Sequence, residues 1–157
     1  MNRTRLIVAL LLFGIAAVVG YKLNSTSHQN VTLLAVTDPD CELRKGPCQA
    51  DLPSGGSITF SLEPRSIPLM KPLSLDVNVR DIETSSAEVD FVGINMNMGY
   101  NRPRLKQTSD SRYQGTATLP VCILQRMQWE ARVLLKTDRG AIMAPFRFHT
   151  DKSSASQ

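Results

Sequence analysis

MQWEARVLLKTDRGAIMAPFRF, residues 127–148, is the stretch whose reading decides the fold. Met127, Trp129, Ala131, Val133 and Leu135 share one parity, and beyond Asp138-Arg139-Gly140 a second row follows in Ile142, Ala144, Phe146 and Phe148. Successive side chains of a strand point to opposite faces, so two such rows joined by a short glycine-bearing turn predict a hairpin with one buried face. Working outward, Leu73, Leu75, Val77 and Val79 alternate with polar residues, as do Ile58, Phe60 and Leu62, and Tyr113, Gly115, Ala117 and Leu119 form another row. With residues 31–36 and 87–98 this makes seven predicted strands separated by Gly, Pro, Asn and Ser clusters, and no amphipathic helix of ten residues interrupts them. The expected fold is all-β, an immunoglobulin-like antiparallel β-sandwich.

The 157 residues, 42% hydrophobic and 20% charged, suit one globular domain and leave no room for a multidomain enzyme. The net charge of +4 draws on Arg3, Arg5 and Lys22, which flank an apolar run; without them 15 basic residues face 14 acidic ones. That balance, with no basic run, argues against a nucleic-acid partner.

The apolar run itself, LIVALLLFGIAAVVGY at residues 6–21, would span roughly 24 Å as a helix. It is slightly short for a membrane span, a deficit that snorkelling Arg5 and Lys22 would make good. The expectation is a membrane anchor or uncleaved signal over residues 1–22, a polar tether over 23–30, a sandwich over 31–150 and a frayed tail over 151–157. Positive charge before the run keeps the N-terminus in the cytoplasm and sends the domain across the membrane.

One predicted strand breaks its own pattern. Val89 and Phe91 are in phase, whereas Ile94, Met96 and Met98 have the opposite parity, and a bulge at Gly93 would repair the register. Met96 and Met98 would then share a face about 7 Å apart.

The three cysteines matter because an exported domain meets an oxidising compartment. Cys41 and Cys48 are close enough in sequence to close a small disulfide loop, which leaves Cys122 unpaired; pairing of Cys122 with either partner stays open, because spacing does not choose among three connectivities. Met96, Met98, Met127 and Cys122 together form a set of soft sulfur ligands of the kind that suits Cu(I). Met127 also shares a face with Trp129, which is a core position. His28 and His149 read as surface histidines.

The residues FVGINMNMGYN (91–101), Tyr113-Gln114-Gly115, Leu119-Pro120-Val121-Cys122, RMQWEA (126–131) and APFRF (144–148) resemble the YtkA-like and FixH-like group of small membrane-anchored periplasmic proteins of proteobacteria. Some of these are encoded beside SCO-type copper chaperones. The resemblance covers residues 40–150 and the single N-terminal anchor. It implies a single-pass inner-membrane protein with its sandwich in the periplasm. It further implies a role in copper handling or cytochrome oxidase assembly, with an SCO-type chaperone or oxidase subunit as partner. The histidine that follows the first methionine strand in YtkA-like proteins is absent here, where Gly99-Tyr100-Asn101 stands instead, which leaves an all-sulfur site.

No nucleophile elbow, C-x-x-C pair or phosphate-binding glycine loop is present, so no enzymatic activity is expected. Asp76, Glu88 and Asp90 lie on polar parities and read as solvated charges. The alternative to copper binding is an interaction module of a membrane complex, with Tyr100, Asn101, Arg102 and Arg104 as its contact patch.

Overall fold

The computed structural model describes residues 10–18 and 31–152, and they fall into two units, residues 1–30 and 31–157. In the first, residues 10–18 are helical. Among the described residues no helix is long and apolar enough to cross a membrane; most of the expected anchor, and the whole of the tether, lie outside the described residues.

The second unit is built of two sheets. One has the order β1 (Val31–Leu34), β10 (Gly140–Asp151), β9 (Arg126–Thr137), β6 (Ser86–Gly93). The other has the order β2 (Val36–Thr37), β3 (Cys48–Asp51), β4 (Ser57–Glu63), β5 (Pro72–Arg80), β8 (Arg112–Thr118), β7 (Lys106–Ser109). Every pairing is antiparallel except that of β1 with β10, which is parallel. The predicted hairpin forms as expected, with Gly140 opposite Thr137 and Asp151 opposite Arg126.

The alternating rows face one another across a common core. Leu73, Leu75, Val77 and Val79 of β5 are buried, as are Met127, Trp129, Ala131, Val133 and Leu135 of β9. Phe60 of one sheet meets Phe146 of the other with ring centroids 5.4 Å apart, and Phe148 stacks on Trp129 at 6.4 Å. This two-layer packing gives a β-sandwich-like arrangement, in which each sheet hides its apolar face on the other.

Four expectations are corrected. Ten strands replace seven, because residues 31–36 divide at the buried Ala35 between the two sheets and because two further four-residue strands, β3 between β2 and β4 and β7 at the edge, complete the larger sheet. The strand expected over 87–98 ends at Gly93, and Met96 and Met98 lie beyond it in an irregular segment. Asp151 belongs to β10, where its carboxylate takes a 2.8 Å hydrogen bond from Arg126 Nε, so the folded part extends past 150. Asp76, Glu88 and Asp90 are not simply solvated; each is held by an arginine, Arg112, Arg104 and Arg102 respectively.

The register places the ends that matter together. Gly93 closes β6 opposite Trp129, and Arg126 opens β9 opposite the end of β10. Val31 pairs with Ala141, beside the hairpin turn, so the chain joins this sheet at the opposite end.

Candidate metal site

β6 stops at Gly93 because the backbone there folds back on itself. A Cβ at Gly93 would lie 3.1 Å from Met98 Cγ and closer still to Met96 O and Met127 Cε, so only glycine admits the turn. Beyond it the ladder along β9 is carried one step further by a side chain. Ile94 N–H donates to Gln128 O at 2.9 Å. Asn95 then accepts from Gln128 N–H through Oδ1 at 3.0 Å and donates from Nδ2 to Arg126 O at 3.2 Å. With the amide of Asn95 standing in for the backbone, the main chain is released from the sheet and carries Met96 and Met98 across its end. Gly99, in the left-handed region at φ 77°, donates its N–H to Asn97 Oδ1 at 2.9 Å and turns the chain again.

This path brings Met96 to Cys122. The Cys122 thiol donates to Met96 Sδ at 3.3 Å, and the Leu124 N–H points at Cys122 Sγ from 3.5 Å. Cys122 is 7% exposed and Met127 is fully buried, while Met96 and Met98 are half-buried at the edge of the core. Of the four sulfur residues read from the sequence, the structure thus joins Met96 and Cys122 directly and gathers Met98 and Met127 around Gly93. Cys41 and Cys48 are disulfide-bonded to each other, and Cys122 is free.

The donor set fits a soft cation. Thiolate ligands of zinc sit at about 2.3 Å, so two ligands of one ion can be no more than about 4.6 Å apart. The 3.3 Å between Met96 Sδ and Cys122 Sγ is within that limit. An amide N–H aimed at the cysteine sulfur complements the charge that sulfur carries when it binds a metal. Among the described residues no three His, Cys, Asp or Glu side chains group together, so sulfur is what the site offers. His149 lies on β10, with Nε2 3.8 Å from Asp151, and His28 lies outside the described residues.

The segment that follows is pinned back along β6. Phe91 N–H donates to Asn101 O, Val89 N–H to Pro103 O and Leu105 N–H to Ala87 O, all within 2.9–3.1 Å, so residues 101–105 cover the outer edge of β6. Arg102 Nη2 meets Asp90 Oδ2 at 2.8 Å and its guanidinium lies 5.5 Å from the Tyr100 ring centre. The hydrogen bond to Asp90 raises the Arg102 pKa further above its ordinary value, against an opposing contribution from burial. Arg104 pairs with Glu88, and Asn101 Nδ2 donates to Thr118 O, across to the other sheet. Of the expected contact patch, Arg102, Arg104 and Asn101 are therefore engaged within the chain, whereas Tyr100 is 82% exposed. Parity marks Gly93 as a bulge position and Asp90 as a polar-face charge, but carries no signal for Asn95, whose two hydrogen bonds are to the backbone of Gln128 and Arg126.

Comparison with protein-family models, curated proteins and solved structures found no match to this chain.

Proposed function

We propose that the protein is a membrane-tethered periplasmic Cu(I)-binding protein that handles copper, in the service of cytochrome oxidase assembly, on an immunoglobulin-like sandwich. The observation that carries this reading is the 3.3 Å contact between Met96 Sδ and Cys122 Sγ. Met96 and Cys122 would be the first ligands, with the thioethers of Met98 and Met127, both gathered around Gly93, as the further candidates. Soft sulfur donors select Cu(I) over harder ions, and a half-buried, low-coordinate site suits exchange with an SCO-type chaperone or an oxidase subunit. The N-terminal apolar run, residues 6–21, supports the tether to the inner membrane.

A competition titration of the full chain, with Cys122 reduced, against a chromophoric Cu(I) chelator tests it. One ion per chain is expected, weakened at least tenfold in Met96→Leu and in Cys122→Ser. Equal competition by the variants, or none by the wild type, overturns it.

A second reading rests on a separate observation. Ile94, Tyr100, Val121 and Ile123, all large and exposed, lie in the two segments that carry Met96 and Cys122. Those segments, residues 94–101 and 116–125, contain no charged residue. Such an apolar collar is what an interaction module of a membrane complex would present. Charged substitutions at Ile123 would then abolish partner capture whether or not copper is bound.

A further inference from the structure

Beside the sulfur loop, on the other side of Ile94, lies a cavity of about 400 Å³ that the copper reading does not use. Arg44, Arg126, Arg147 and His149 line it, with Ile94 and Phe148 as apolar wall. Arg44 lies inside the loop closed by Cys41–Cys48, and both its Nε and Nη2 donate to His149 O, at 3.2 and 3.0 Å. The disulfide loop is thereby fastened to β10, and the guanidinium is set in place in advance.

The local charge is unbalanced. Arg126 pairs with Asp151, and Arg147 shares Glu130 with Arg132, so one carboxylate serves two guanidinium groups. Glu42 on the rim is matched by Lys45. Among the described residues Arg44 has no carboxylate within 4.0 Å, although it acts at longer range on Asp151, which Arg126 already pairs, and its Nη1 carries no hydrogen bond. These groups together hold more cations than carboxylates, around a volume within the usual range of small-molecule sites.

We infer that this cavity binds a small amphipathic oxyanion, a phosphate or carboxylate head held by Arg44, Arg126 and Arg147 with its apolar body on Ile94 and Phe148. A planar guanidinium fork matches both kinds of head, and a fixed arginine loses little freedom on binding. The apolar wall distinguishes such a ligand from a bare inorganic ion. The inference stands independently of copper, because none of Met96, Met98, Cys122 and Met127 lines the cavity; the one sulfur that does, Cys41, is held in the disulfide with Cys48.

The test is calorimetric titration of the full chain with phenyl phosphate, with inorganic phosphate and phenol as the head and the body alone. Saturable one-to-one binding of phenyl phosphate is expected, at least tenfold tighter than either part. Arg44→Ala and Arg147→Ala should each weaken it at least tenfold, and Arg139→Ala in the hairpin turn should not. The Arg147 side chain is 78% exposed, so this variant keeps the test decisive if loss of Arg44 prevents folding. Absence of saturable binding, equal binding of phenol, or wild-type affinity in Arg147→Ala overturns the inference.

Discussion

The indole N–H of Trp129 donates to Thr150 Oγ1 at 3.0 Å, a hydrogen bond between adjacent strands with both residues buried in the core. Replacing Thr150 by Val keeps the shape and removes the acceptor, leaving a buried donor without a partner. The expected loss is about 1–3 kcal/mol in urea unfolding, with Thr150→Ser retaining most of the stability. Trp129 is the sole tryptophan, so its fluorescence follows the transition directly.

Gly93→Ala places a methyl against Met96 O, a backbone atom that cannot swing aside. The variant should lose about 1–3 kcal/mol and move the Met96 segment away from Cys122. Reaction of Cys122 with a thiol reagent under native conditions should then be faster than in the wild type. An unchanged rate would mean that the turn over Gly93 does not shield the thiol.

The two arginines beyond Tyr100 should differ in weight. Asp90 is 7% exposed, so Arg102→Ala strands a nearly buried carboxylate and should cost about 1–3 kcal/mol. Arg104 is largely exposed, and removing it should cost no more than about 1 kcal/mol. Double-mutant cycles over Arg102–Asp90 and Arg104–Glu88 check the order.

Glu130 gives the acid side of the stability curve. Burial pushes its carboxyl up, and hydrogen bonds from Arg132 and Arg147 together pull it below the ordinary value of 4.5. A carboxyl that is more acidic when folded contributes stability above its unfolded pKa, and that contribution disappears as pH falls through the folded pKa. Urea midpoints should therefore drop below about pH 4.5 in the wild type, and Glu130→Gln should show a shallower fall over the same interval.

The strands with a buried face were legible because burial imposes period two, which β5 carries without a break and β9 carries as far as Val133, before the additional burial of Leu134. β7 left no such trace, since all four of its residues are exposed at an edge. The end of β6 was hidden for a different reason. Ile94, Met96 and Met98 keep an alternating pattern after the backbone has left the sheet, and the substitution of the Asn95 amide for a ladder bond depends on the distant Arg126 and Gln128. The sulfur residues could be named from their chemistry, but which two touch depends on that turn. Likewise, the parity of Asp90 said nothing of Arg102, which reaches it only because residues 101–105 return along β6.

The parallel pairing of β1 with β10 has a mechanical consequence. Val31 lies at the start of the one strand and Asp151 at the end of the other. A pull that separates these two points loads the hydrogen bonds between β1 and β10 in shear, so they must give way together rather than one after another. Resistance to such a pull would thus be concentrated at the hairpin end of the sheet, where β1 lies along Ala141, Ile142 and Met143.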